Sequence, residues 1–387
     1  MLARVLTTLL ILLAAPLWAQ SYDTRSKAAF VMDQGTGTVM LSKNADQPLP
    51  PASMSKLMTL LMTFEAIQRG TISIDDKLPV SAHAASFGGS TMFLDTRDRV
   101  TVEDLIRGII VLSGNDACVV LAEALSPDGT EAGFARMMTA RARELGMMNS
   151  TFQNASGWPA AGHRMSMRDL AILANHLIED FPTYYPLFAE REFAFDGRAP
   201  SNTRNRNPLL GLGIGADGLK TGHTREAGYG LVGSAVQDGR RVIFVVSGLD
   251  SIAARAEESE RIVNWAFRQF VEKVVAPAGT RIAEAEVHMG DDQRVGLTTA
   301  EDLVVLVPNV GRNEIEAHVS YDGPVQAPIE AGQEIGQLVV SIPGFEPTSV
   351  PLIATEDVAV GGFVPRLRTA ADALRRQFFA PSTGEAS

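Results

Sequence analysis

Three short clusters, in order along the chain, carry side chains able to do chemistry: Ser53-Met54-Ser55-Lys56, Ser113-Gly114-Asn115 and Lys220-Thr221-Gly222. A serine hydroxyl is a poor nucleophile until a base stands within hydrogen-bond reach. Ser53 and Lys56 are three residues apart, so at a helix start both project from one face, about one turn apart. A lysine acts as base only where burial or a neighbouring cation lowers its pKa. The apolar run after Lys56 predicts the burial, and Lys220 supplies a second positive charge. Ser113 can pass a proton between Lys56 and a leaving amine, while the amide of Asn115 can hold Lys56 and a substrate carbonyl. Gly222 permits close approach of a substrate backbone to a strand edge. Such an inventory describes acyl transfer on a serine without a catalytic histidine.

The elements that must position these groups are legible around them. Ala28–Asp33 and Thr38–Leu41 read as strands turned by Gly35 and Gly37. A helix is predicted from Ser53 to about Arg69, with Leu57, Leu60, Leu61 and Phe64 at buried spacing and Gly70 as its stop. Thr101 with Asp104, and Ser166 with Asp169, have the spacing of capping boxes. Tyr229–Val236 and Arg241–Val246 read as a hairpin turned at Asp238-Gly239, preceded by Lys220 on an edge strand. Ala253 to about Val271 reads as a helix. Strands at both ends with helical sequence between them predict an α/β domain, one mixed sheet flanked by helices. At Pro277-Ala278-Gly279 the texture changes to short alternating runs, the pattern of a small all-β sandwich or barrel.

Composition narrows the class. At 387 residues, two domains are the natural expectation. The net charge of −11 argues against a nucleic-acid partner, which demands excess Lys and Arg. Arg4 followed by the apolar run Val5–Ala15 and by Ala14–Ala19 reads as a secretory signal peptide. The single cysteine, Cys118, excludes an intramolecular disulfide and falls on an apolar helical stretch that predicts burial. None of the six histidines has ligand spacing, so no metal or other cofactor is expected.

The residues around the three clusters carry a resemblance. Pro51–Thr59, Leu112–Ala117, Asp217–Thr224 and the later Arg255-Ala256-Glu257 are similar to the D-alanyl-D-alanine carboxypeptidases of the low-molecular-mass penicillin-binding protein group. The resemblance implies a β-lactamase/transpeptidase-like catalytic fold, a small all-β second domain and a C-terminal amphipathic helix. It implies Ser53 as acylated nucleophile, Lys56 as base, Ser113 and Asn115 as relay and positioning groups, and Lys220 as polarising cation. The backbone N–H groups of Ser53 and His223 would form the oxyanion hole, and Thr221 and Arg255 would take the substrate carboxylate, with Gly222 and His223 lining the site. The implied activity is removal of the terminal D-alanine from peptidoglycan stem pentapeptides, with β-lactams as covalent inhibitors.

The expected layout is a signal peptide over 1–19, a catalytic domain over 27–274, an all-β domain over 278–360 and an amphipathic helix over 361–380. In that helix Phe363, Leu367, Ala371, Leu374 and Phe378 share a stripe, with Arg366, Arg368, Arg375 and Arg376 mostly off it. A basic face suits the anionic inner-membrane surface, giving a periplasmic enzyme peripherally attached there; docking on the β domain is the rival reading. Three other activities compete. A D,D-endopeptidase would keep the trio, but such relatives usually lack the β domain. A β-lactamase would need a Glu-x-x-x-Asn loop between the second and third clusters, which the sequence lacks. A non-catalytic wall-binding protein would predict loss of Ser53 or Lys56.

Overall fold

The computed structural model describes residues 22–309, 316–341 and 346–363. The signal peptide expected over 1–19, and the helix expected over 361–380 beyond residue 363, lie outside the described residues. In chain order come β1 (Ala28–Asp33), β2 (Val39–Lys43), α1 (Lys56–Gln68), β3 (Lys77–Pro79), α2 (Ala82–Ala85), β4 (Arg99–Thr101), α3 (Val102–Arg107), α4 (Asn115–Leu125), α5 (Glu131–Glu144), α6 (Met167–Glu179), β5 (Ala216–Thr224), β6 (Gly228–Gln237), β7 (Arg240–Leu249) and α7 (Ile252–Gln269). The β-rich remainder contains β8 (Phe270–Ala276), β9 (Ala283–His288), β10 (Arg294–Thr298), β11 (Leu303–Pro308), β12 (Glu316–Tyr321), β13 (Val325–Gln326), β14 (Glu334–Ser341) and β15 (Thr348–Ala354).

The main sheet has the order β2-β1-β7-β6-β5. All of its strand pairs are antiparallel, which corrects the expectation of a mixed sheet. The reason is connectivity: the N-terminal hairpin lies directly beside the β6–β7 hairpin, so no parallel crossover is needed. Asp238 and Gly239 both adopt positive φ (50° and 84°), as a tight two-residue turn with right-handed strand twist requires. Period-two alternation splits the side chains between two cores. Phe30, Ile243 and Val245 face the helical layer built on α1, α4 and α6, whereas Val31, Val242, Phe244 and Val246 face α7 through Ile262, Val263 and Ala266. Because both faces are covered, β7 reads as a continuous apolar run. Both capping boxes supply the expected hydrogen bond, Asp104 N–H to Thr101 Oγ1 and Asp169 N–H to Ser166 Oγ.

The second sheet has the order β12-β14-β15-β10-β9-β13, with β8 and β11 forming a separate two-stranded ribbon. The helix expected to run to about Val271 ends at Gln269, and β8 follows at once, paired with β11. The β-rich part therefore begins before the Pro277 break. β11 serves both parts: Val305 and Val307 join the β core with Val295, Leu297 and Leu352, while Leu306 points the other way into the core under α7.

Candidate active site

The nucleophile turn is built by local sequence. Ala52–Ser55 forms a 3-10 turn that runs into α1, and first-turn backbone N–H groups have no intrahelical partner. Ser53 thus projects from the entry of a helix whose next residue but two is Lys56. The Lys56 side chain is completely buried (0% exposed). Its Nζ donates to Ser53 Oγ at 3.0 Å, to Asn115 Oδ1 at 2.7 Å and to the Ser156 carbonyl at 2.5 Å. Burial, and after it the positive charge of Arg206, lowers its pKa to about 8, against the opposing pull of Asp116 and Glu131. An amine with that value supplies free base near neutral pH.

The second cluster sits on a strained corner. A single π-type turn, Gly108–Leu112, ends at Ser113, which adopts the left-handed conformation with φ 62°. That corner starts α4 at Asn115 and points the Asn115 amide at Lys56, with Nδ2 donating to the Gly88 carbonyl at 2.8 Å. Asp116 fixes the opposite wall: its buried carboxylate accepts the backbone N–H groups of Met92 and Leu94. Burial raises its pKa against these hydrogen bonds.

The third cluster lies on β5, the sheet edge, as expected. Lys220 Nζ donates to Ser113 Oγ at 3.0 Å. Burial, then Lys56 and Arg206, pushes its pKa well below the usual lysine value. Thr221 is buried beside it, and its carbonyl accepts from Lys220 at 3.3 Å. Gly222 has a packing role as well. A Cβ there would meet the Pro51 carbonyl at 2.9 Å and Met54 Cγ at 3.0 Å, so the missing side chain lets β5 pack on the nucleophile turn itself. The His223 ring stacks on Tyr229 with centroids 3.9 Å apart. The Arg255 guanidinium, reaching in from α7, lies 5.8 Å from the same Tyr229 ring. Arg255 donates to the Arg206 carbonyl at 3.2 Å, and burial lowers its pKa to about 10, leaving it cationic at neutral pH.

Ser53, Lys56 and Asn115 are joined by hydrogen bonds, as are Ser113 and Lys220; Thr221, Gly222 and His223 follow Lys220 on β5, and Arg255 and His223 share the Tyr229 ring. Cys118 is buried next to the lysines, where burial raises its thiol to about 12 and leaves it inert. Two contributors escaped the sequence. Arg206 donates to Ser90 Oγ at 2.7 Å and to the Leu112 carbonyl at 3.2 Å, and it is the cation that acts on both lysines. Only the polar run Asn205-Arg206-Asn207 could have flagged it. Ser156 acts through a main-chain carbonyl, for which side-chain chemistry gives no signal. Asn154 holds that turn by accepting the N–H groups of Gly157 and Trp158 at 2.8 and 3.1 Å.

A buried lysine of lowered pKa bonded to a helix-entry serine, with a second lysine on a relay serine, defines a serine hydrolase that works through acyl transfer. The chain belongs to the D-alanyl-D-alanine carboxypeptidase family, whose profile matches residues 15–251, and residues 270–360 match the penicillin-binding protein 5 C-terminal domain. A D-alanyl-D-alanine carboxypeptidase of Escherichia coli is 37% identical over 90% of this chain and 88% of its own. Penicillin-binding protein 5 from Haemophilus influenzae has a similar structure, with a TM-score of 0.76 and 34% identity over 87% of this chain and 98% of its own. Penicillin-binding protein D2 from Listeria monocytogenes, solved in its ampicillin-bound form, matches with a TM-score of 0.57 and 32% identity over 63% of this chain and 98% of its own. The protein is therefore a serine-type D,D-carboxypeptidase of a family that acts on peptidoglycan stem peptides in the periplasm and binds β-lactams covalently.

Proposed function

We propose that Ser53 is the residue acylated during removal of the terminal D-alanine from stem pentapeptides. The observation that carries this is the 3.0 Å contact between its Oγ and the buried Lys56 amine. The neutral amine accepts the Ser53 proton as Oγ attacks the penultimate D-alanyl carbonyl, giving a tetrahedral oxyanion held by the N–H groups of Ser53 and His223. The proton then reaches the leaving amine through Ser113, whose hydroxyl Lys220 orients. Collapse breaks the C–N bond and frees D-alanine, and water releases the shortened stem by the reverse proton path. Asn115 positions Lys56 and the substrate carbonyl, while Thr221 and Arg255 take the terminal carboxylate.

The domain layout belongs to the same reading. The catalytic domain ends with α7, the all-β domain starts at β8, and residues 1–19 are an export signal. The basic amphipathic stretch over 361–380 attaches the enzyme peripherally to the outer face of the inner membrane. Among the described residues no helix is long and apolar enough to cross a membrane. Liposome co-sedimentation reads attachment through the 361–380 stretch. Equal sedimentation with and without residues after Val360 would remove it.

Incubation of the protein with a stem pentapeptide, followed by mass measurement, tests the central claim. Loss of one alanine mass, absent with Ser53→Ala, is the expected result. Cleavage of cross-linked dimers with no such loss would turn the enzyme into an endopeptidase.

A further inference from the structure

Glu131 opens α5 with a side chain only 11% exposed, and its own helix does not use the carboxylate. The cap there is Thr130, whose Oγ1 accepts the Gly133 N–H at 2.9 Å. Both Glu131 oxygens point instead at other parts of the fold. Oε1 accepts the Ala155 N–H at 3.0 Å, and Oε2 stands 3.1 Å from Nε2 of His83 on α2. The positive end of the α5 dipole favours a negative charge at this position.

Ala155 is thereby fixed at both of its backbone groups. Its N–H meets Glu131, and its carbonyl accepts at 2.6 Å from Oγ1 of Thr59, one turn along α1 from Lys56. The next carbonyl, that of Ser156, is the one that takes Lys56 Nζ. A main-chain acceptor has no side chain to steer it, so its aim is set by bonds such as these.

The three acceptors of Lys56 Nζ, a hydroxyl, an amide oxygen and a carbonyl, are all uncharged. On taking the Ser53 proton the amine becomes a buried ammonium, which is costly away from water unless opposite charge is near. Among the charges that face it, Arg206 disfavours the ammonium, while Asp116 on α4 and Glu131 on α5 favour it. Lys220 on β5 and His163 are disfavoured as cations by the same ammonium. Asp116 commits its oxygens to the Met92 and Leu94 N–H groups on the far wall. Glu131 combines charge with a bond into the strand of chain that holds Lys56.

We propose that Glu131 is a positioning residue for the catalytic base: through the Ala155 N–H it aims the Ser156 carbonyl at Lys56, and it supplies counter-charge for the ammonium formed when Ser53 gives up its proton. This rests on the reading of Lys56 as base and adds to it a residue from outside the three clusters.

The test is the pH profile of Ser53 acylation by a fluorescent penicillin, followed by stopped flow. Glu131→Gln keeps an oxygen for the Ala155 N–H and removes the charge. Its ascending limb should move to lower pH by about one unit, opposite in sense to the loss of Arg206. Its plateau should fall about threefold, because the amine is then a weaker base. Glu131→Ala loses the hydrogen bond as well and should show the same limb with a plateau lower by about a further tenfold. Glu131→Asp keeps the charge and should return the limb towards the wild-type position. Circular dichroism and thermal melting select the folded variants, and the near-isosteric Gln variant carries the test if the Ala variant does not fold. A merely structural Glu131 would leave the limb in place in every folded variant, whatever the plateau; that result, or a limb moved to higher pH, overturns the proposal. Uptake of the penicillin by Ser53→Ala as fast as by the wild-type enzyme would instead sink the functional reading.

Discussion

Lys220 donates to the hydroxyl of Ser113 at 3.0 Å, joining the sheet edge to the strained corner before α4. This bond orients the Ser113 oxygen, whereas Lys56 bonds Ser53, Asn115 and Ser156. The two lysines therefore address different serines, and the relay between them needs the Ser113 proton. Ser113→Ala should reduce acylation of Ser53 by about 10²–10⁴-fold, the usual range for a lost proton-transfer group. Stopped-flow measurement with a fluorescent penicillin reads the acylation rate directly. An unchanged rate would remove Ser113 from the relay.

The pH dependence follows from Lys56. Its free-enzyme pKa is lowered to about 8, and the base form is the deprotonated one. Consequently kcat/KM should rise with pH and level off above about 8. Burial is the main cause and Arg206 adds to it, so Arg206→Gln should move the ascending limb to higher pH. A limb that stays in place in the variant would show that burial alone sets the value.

Gly157 combines positive φ (77°) with no room for a side chain, because a Cβ would strike the Ala52 carbonyl. Gly157→Ala should cost about 1–3 kcal/mol of stability and lower activity further by shifting the Ser156 carbonyl from Lys56. Thermal melting and pentapeptide turnover check both effects. Gly70 has similar φ (70°) with open space around it, so Gly70→Ala should cost less and leave turnover intact.

Among the contacts that join the catalytic and β-rich parts, one ion-pair group and one apolar side chain differ in magnitude. Arg168 on α6 pairs with Glu346 at 2.9 Å and with Asp46 at 2.7 Å, but all three carry partly exposed side chains. Arg168→Ala should change stability by less than about 1 kcal/mol. Leu306 is buried in the core under α7, and Leu306→Ala should cost about 2–5 kcal/mol. Limited proteolysis should then cut the α7–β8 junction faster in the Leu306 variant than in the Arg168 variant. The reverse order would make the ion pairs the principal tether.

Ser53, Lys56, Ser113, Asn115 and Lys220 were legible in the sequence because each acts through its own side chain at a fixed offset within a short run. Helix starts and the Asp238-Gly239 hairpin were legible for a related reason: caps and turns are local, and their chemistry is written in adjacent residues. The antiparallel order of the main sheet was not, since strand pairing is decided by which distant segments bury each other. Nor was the start of the β-rich part, where β8 continues directly from α7 with no breaking residue before it. Sequence by itself therefore determined which groups do the chemistry. The fold alone decided the rest: that Lys56 is stripped of water, that Arg206 stands close enough to act on its pKa, that Gly222 seats the strand on the nucleophile turn, and that Trp158 stays half exposed. These are consequences of burial and of approach between residues far apart in the chain, and no local pattern encodes them.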